Sequence, residues 1–187
     1  MNEDRWETTY RDRAPGRMPE PARLLQDYAH LLTGGRALDI AAGEGQNGIF
    51  LAGRGYAVTC VDRAPSAVPL IRAHAESRGV ALEAVAADIR DYPIPEQSCD
   101  AILNFYFLDR TLFPRITAGL KKDGLLFFET YTIGQQRFGG PHNPDFLLRP
   151  NELVEAFLDL FIIFYHERID VSGPGPRALA SLVAQRV

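Results

Sequence analysis

The stretch Arg36-Ala-Leu-Asp-Ile-Ala-Ala-Gly-Glu-Gly-Gln-Asn-Gly-Ile-Phe-Leu-Ala52 decides how the rest of the chain is read. A short apolar run, a cluster of glycines and an apolar run at helical spacing predict a strand, a tight turn and a helix start. Gly43, Gly45 and Gly48 spell G-x-G-x-x-G, in which a backbone without Cβ approaches a nucleotide-like ligand beside a helix N-terminus. A second strand, residues 57–62, ends in Asp62, 19 residues after Gly43. A βαβ nucleotide fold places its ribose-binding acid there.

Charge narrows the choice of nucleotide. Asp39 precedes the turn and Glu44 lies within it, so carboxylates are expected where a dinucleotide would set its pyrophosphate. Like charges at close range disfavour that ligand and favour one carrying an ammonium and a sulfonium. S-adenosylmethionine fits this description, and NAD fits it poorly.

Upstream, residues 1–19 are polar and Arg-rich, with Trp6 and Tyr10 spaced to share a helix face. They form an arm that either staples to the core or closes as a lid. Leu24, Leu25, Tyr28, Leu31 and Leu32 predict an amphipathic helix over residues 21–33, stopped by Gly34-Gly35.

Downstream, strands are expected at 36–41, 57–62, 82–87, 100–106 and 125–131, with helices at 46–54, from Pro65-Ser66 to Gly79, and 111–120. Ser66 is the expected cap of the second of these helices. Pro69 and Pro114 suit first turns, where the missing N–H is an orphan anyway, and residues 121–124 close the third helix. Strands alternating with helices imply right-handed crossovers and a parallel sheet. Residues 132–149, with Gly139-Gly-Pro141, His142, Asn143 and Pro144, form a loop long enough to be a binding lid. After a helix at 151–158, runs at 161–169 and 178–187 flank Ser172-Gly-Pro-Gly-Pro176 and predict an antiparallel hairpin.

The chain has 187 residues, 46% hydrophobic and 24% charged, and a net charge of −4. One domain spanning 1–187 is expected, with no room for a separate substrate domain. The charge gives no basic field for a nucleic-acid backbone. Cys60 and Cys99 read as small buried hydrophobes in a reducing compartment, and no His, Cys and carboxylate cluster has metal-ligand spacing. His30, His74 and His166 fall in predicted helices or strands and read as structural or solvated. The polar start and the lack of an apolar run of about 20 residues predict a cytoplasmic protein without a membrane span.

Five parallel strands, a glycine turn after the first, acids ending the second and third, and a terminal hairpin resemble the class I S-adenosylmethionine-dependent methyltransferases. The implied fold is α/β: a doubly wound, Rossmann-like seven-stranded sheet, mostly parallel with a C-terminal antiparallel hairpin and helices on both faces. Residues 36–48, together with Leu108-Asp-Arg-Thr-Leu-Phe-Pro-Arg-Ile116 and Gly140-Pro-His-Asn-Pro-Asp-Phe-Leu-Leu-Arg-Pro150, resemble the bacterial group that includes the tellurite-resistance protein TehB.

That resemblance assigns the following roles. Asp39 orders the turn near the methionine end of the cofactor, and the backbone from Ala41 through Gly43 to Gly45 lets that end come close. Asp62 accepts from the ribose hydroxyls, Arg63 lies near the adenosine, Asp88 and the Ile89 N–H read the adenine edge, and Asn104 and Phe105 line the floor. The sequence departs from the pattern at Ala41, where many relatives have glycine; the change costs little if φ is negative there. It departs again at Gln46, where the group often has arginine, which argues against a substrate shared with the tellurite-resistance protein.

For the acceptor pocket the candidates are Tyr10, Tyr106, Arg110, Tyr131 and His142, with Arg110 preferred over Arg115 because it follows a strand's carboxyl end. Methyl transfer from a sulfonium relies on proximity and exclusion of water. A thiol or chalcogen oxyanion arrives ionised; an alcohol or phenol needs a base, for which Tyr131 and His142 are the candidates. The expected partner is a small-molecule methyl acceptor, with a monomer or homodimer as the expected assembly. Two other readings share these residues: an NAD-dependent oxidoreductase, and a non-catalytic S-adenosylmethionine-binding module.

Overall fold

The central strands are buried on both faces, and their side chains alternate between two apolar clusters. Leu38, Ile102, Leu126, Phe128 and Leu182 face one side; Ala37, Leu103, Leu125, Phe127 and Val183 face the other. Doubly covered strands of this kind read as continuous apolar runs such as Leu125-Leu-Phe-Phe128. Burial of one such Phe contributes about 1.5–3 kcal/mol, and Phe127 and Phe128 are both fully enclosed.

In a computed structural model these clusters are built from residues 4–13, 16 and 18–187; residues 1–3, 14, 15 and 17 of the predicted arm lie outside the described residues. The elements run α1 (Asp4–Arg11), α2 (Arg23–Asp27), β1 (Gly35–Ile40), α3 (Gln46–Ala52), β2 (Tyr56–Asp62), α4 (Ala67–Ser77), β3 (Glu83–Ala86), β4 (Cys99–Phe105), α5 (Phe113–Gly119), β5 (Leu120–Tyr131), α6 (Glu152–Ala156), β6 (Phe161–Asp170) and β7 (Arg177–Gln185). The sheet order is β3-β2-β1-β4-β5-β7-β6. The first five strands pair parallel, and β7 pairs antiparallel to both β5 and β6. The strand order reverses between β1 and β4, the position where open α/β sheets keep their ligands. Ile40 and Asn104 stand side by side there.

Three local expectations need correction. The helix expected over 21–33 is broken: α2 has five residues, Tyr28 leaves helical geometry at φ −104°, ψ 14°, and a 3₁₀ turn occupies Ala29–Leu31. The glycines end no helix; Gly35 opens β1 instead. Residues 121–124 are not a helix terminus, because β5 already starts at Leu120 and absorbs them as a bulge opposite Cys99 and Ala101. Ser66 occupies the cap position of α4 without capping it. Its hydroxyl donates to the backbone carbonyl and carboxylate of Glu7, 3.0 and 2.9 Å away.

Among the described residues no helix is long and apolar enough to cross a membrane. Cys60 and Cys99 are both buried and unpaired.

Candidate functional site

The turn between β1 and α3 is shaped by backbone that side chains would obstruct. Gly43 and Gly45 have φ of +59° and +80°, a region L-residues seldom enter. A Cβ on Gly45 would stand 2.9 Å from Ile71, and one on Gly48 would stand 2.4 Å from the Cys60 sulfur. Gly48 therefore serves helix–strand packing, while Gly43 and Gly45 form the turn itself. At Ala41 the φ is +52° and not negative, so alanine carries the strain that glycine would avoid.

The carboxylates are arranged differently from the sequence reading. Asp39 is 1% exposed and turned inward, accepting the Gly48 N–H at 2.9 Å. Burial pushes its pKa up to about 7, with the Gly48 N–H opposing and the Asp62 charge assisting. Glu44 is paired with Arg13 of the arm. Neither acid therefore presents an open negative charge to a ligand. The acid at the mouth of the turn is Asp62, which accepts from the Gly43 N–H at 2.8 Å and the Ala64 N–H at 2.9 Å. Burial raises its pKa, while those two N–H groups and neighbouring Arg63 lower it. His74, buried on α4, places its Nδ1 3.2 Å from the Glu44 carbonyl and braces the turn from behind.

Beyond β3, Arg90 clamps Asp88 through Nε and Nη2 and holds its carboxyl down at about pKa 2. Ile89 is buried. Arg115 donates to the carbonyls of Ile89, Arg90 and Tyr92, which gives it the structural role expected from its place in a helix. Asn104 is buried, and its amide donates to the Phe107 carbonyl at 2.8 Å, fixing the chain reversal after β4; Phe105 is buried beside it.

The arm reaches this turn. Trp6 and Tyr10 stack at 6.0 Å, as their spacing predicts. Glu7 accepts the Ser66 N–H and hydroxyl, pinning α1 to the start of α4. The Tyr10 hydroxyl lies 2.9 Å from where a Gly43 Cβ would project. Burial pushes the Tyr10 pKa up to about 12, with the Asp62 charge adding to the shift.

On the far side of the β1/β4 crevice, residues 132–149 contain two 3₁₀ turns, Ile133–Arg137 and Pro144–Phe146. Arg110, expected to hold an anionic acceptor, is engaged elsewhere. Its guanidinium binds Glu152 and donates to the carbonyls of Asp145 and Leu147, both at 2.9 Å, so it fastens the loop to α6. His142 is exposed on that loop. Tyr106 and Tyr131 do meet, with ring centroids 5.5 Å apart.

Sequence reasoning missed the group beneath those tyrosines. Glu129, 3% exposed, accepts from the Tyr106 hydroxyl at 3.2 Å, the Ser181 hydroxyl at 2.6 Å and Arg168 at 3.0 Å. Arg177 donates to the Tyr106 oxygen at 3.1 Å and pairs with Asp170. A lone carboxylate inside the apolar run Leu125-Leu-Phe-Phe-Glu-Thr-Tyr131 was the available signal, because buried charges are normally partnered. A separate cavity of about 320 Å³, lined by Met18, Gln46, Ile49, Phe50 and Arg78 among others, holds none of the predicted site residues. Among the described residues no three metal-ligating side chains converge.

Comparison with known proteins bears on the domain and its fold. A methyltransferase-domain family model matches residues 37–124, from β1 into β5. A ubiquinone biosynthesis O-methyltransferase of Actinobacillus pleuropneumoniae serotype 5b (strain L20) is 29% identical over 128 residues, covering 62% of this chain and 55% of that protein. The chain thus spans about half the length of this curated relative. The crystal structure of TehB from Haemophilus influenzae superposes with a TM-score of 0.77 at 20% identity, covering 99% of this chain and 67% of that one. An S-adenosylmethionine-dependent methyltransferase of Methanosarcina mazei superposes with a TM-score of 0.68 at 18% identity, covering 90% of this chain and 99% of that one. At these identities the structural likenesses are likenesses of fold. The methyltransferase-domain match thus spans the glycine turn at the β1/β4 switch, and the solved structures share the fold built around it.

Proposed function

We propose that the protein transfers a methyl group from S-adenosylmethionine to a small-molecule acceptor bound in the β1/β4 crevice, releasing S-adenosylhomocysteine. The observation that carries this reading is the glycine turn with Asp62 at its mouth. A carboxylate offers about four lone-pair sites, and backbone N–H groups of Gly43, Ala64 and Arg63 engage Asp62 from the protein side. The acceptor capacity left over is proposed to meet the ribose hydroxyls. The backbone of Ala41, Gly43 and Gly45 borders the place proposed for the methionine end, with the Tyr10 hydroxyl close against Gly43.

When bound, the cofactor supplies an electrophilic methyl on a good leaving group. The chain's residues contribute position. Ile89 N–H reads the adenine edge, Asp88 contributes less because Arg90 occupies it, and Arg63 lies by the adenosine. Asn104 and Phe105 form the floor, and Asp39 holds the turn through Gly48. Tyr10 and the arm cover the site and exclude water. Tyr106 and Tyr131 wall the acceptor pocket, His142 lies on the loop that borders it, and Arg110 secures that loop. A thiol, a chalcogen oxyanion and a hydroxyl are the acceptor classes this pocket is proposed to meet.

Calorimetry with S-adenosylhomocysteine tests the reading. Micromolar binding that collapses in Asp62→Ala is expected; no binding to the wild type would end it. Turnover of labelled S-adenosylmethionine against thiols, selenite, tellurite and phenols then separates an enzyme from a non-catalytic binding module.

A further inference from the structure

We infer that Tyr106 and Glu129 form a proton relay for an acceptor bearing a hydroxyl group, with Tyr106 the catalytic residue and Glu129 acting through it. This rests on the methyltransferase reading above and goes beyond it by naming the acceptor chemistry and its base.

Tyr106 is placed for contact with the reacting atoms. It follows β4 directly, two residues past Asn104, whose strand partner Ile40 leads into the glycine turn. Its backbone N–H donates to the Glu129 carbonyl at 2.8 Å, so the ends of β4 and β5 are locked together at this point. Its φ is +58°, a strained value for a bulky residue. Such strain persists where the surroundings over-determine it and clusters at functional sites.

The hydroxyl is fully oriented. It donates to Glu129 Oε1 at 3.2 Å and accepts from Arg177 at 3.1 Å, which leaves one oxygen lone pair to receive a proton from a bound acceptor. The other candidates lack this arrangement. Tyr131's hydroxyl bonds to none of the described groups, and His142 is exposed on the loop.

Protons and electrons balance as follows. The acceptor oxygen forms its bond to the methyl carbon as the carbon–sulfur bond breaks, with that electron pair going to sulfur. The acceptor's proton passes to the Tyr106 oxygen, and the proton Tyr106 held passes to Glu129 Oε1. Glu129 becomes neutral beside Arg168 and Ser181 and later returns its proton to solvent. The acceptor proton becomes far more acidic as the new O–C bond forms, so a carboxylate can take it at that stage.

Two variants and four probes test this. With the protein saturated in S-adenosylhomocysteine, calorimetry should show phenol binding about 3- to 10-fold tighter than anisole, the gain of one hydrogen bond. Tyr106→Phe should abolish that preference, and Glu129→Gln should keep it, because the amide oxygen still accepts from Tyr106. In turnover, both variants should lose about 10²- to 10⁴-fold in kcat on phenol. On 4-nitrophenol, ionised above neutral pH, and on thiophenol, the ratio of wild type to variant should stay within a few-fold. Equal loss on ionised and un-ionised acceptors, full phenol turnover in Tyr106→Phe, or a wild type that binds S-adenosylhomocysteine yet methylates no hydroxyl would each overturn the relay while leaving the methyltransferase reading standing. Failure of the wild type to bind S-adenosylhomocysteine removes both. Should Glu129→Gln not fold, the Tyr106→Phe results decide.

Discussion

Arg110 and Glu152, 42 residues apart in sequence, meet in a two-point ion pair that closes the loop at 132–149 onto α6. Glu152 is 4% exposed and also accepts the Arg149 N–H at 2.7 Å. Removing a partner from a fully buried pair costs about 3–5 kcal/mol; the guanidinium side is partly exposed, so Arg110→Ala should cost about 2 kcal/mol. Thermal unfolding checks this, and pairing the change with Glu152→Leu should recover most of the loss.

Gly48→Ala should destabilise by about 1–3 kcal/mol, the usual cost of overpacking, because its Cβ meets the Cys60 sulfur at 2.4 Å. Adding Cys60→Ala makes room and should restore more than half. Denaturant midpoints at constant slope provide the measurement.

Ala41 at φ +52° predicts an improvement on substitution. Left-handed geometry costs a residue with a Cβ about 1–2 kcal/mol, partly offset by glycine's extra chain entropy of about 0.5–1 kcal/mol. Ala41→Gly should raise the melting temperature modestly, whereas the β-branched change Ala41→Val should lower it. The same direction of shift in both would contradict the strain argument.

Asp39 predicts a pH signature. Its folded pKa of about 7 lies above the ordinary 3.8, so the folded state holds a proton the unfolded chain gives up. Through this group stability is greatest below pH 3.8 and declines as pH rises toward 7. Asp39→Asn removes the dependence: its melting temperature should exceed the wild type's at pH 8, with the gap narrowing as pH falls toward 4. A gap that stays constant with pH would refute the assignment.

Trp6 is the only tryptophan in the chain and lies on the arm, so its fluorescence reports docking. Ser66→Ala removes the hydroxyl that bonds Glu7 and should shift Trp6 emission to the red. S-adenosylhomocysteine should shift it further in the wild type than in the variant.

Much of the architecture was legible because it is written locally. Val58, Cys60 and Val61 with Ile102, Leu103 and Phe105 are apolar runs that only a doubly covered strand explains, and the glycines between Ala42 and Ile49 mark the turn unaided. What escaped depended on partners remote in sequence. Ser66 looks like a helix cap until Glu7, 59 residues away, takes its hydroxyl. Arg110 looks free until Glu152 and two carbonyls claim its donors. The charge argument from Asp39 and Glu44 misplaced both acids, because sequence gives their proximity to the turn but not the direction in which they point. Glu129 showed as an anomaly in an apolar run, yet its partners Arg168 and Ser181 lie 39 and 52 residues downstream.

Strand order also dictates a sequence of events during folding. Because β7 lies between β5 and β6, β6 meets the sheet only through β7, and β5 keeps an open edge until the hairpin docks through its later strand. In the interval the long apolar margin of β5 lies bare, a template for neighbouring chains. Refolding yield should therefore fall with protein concentration.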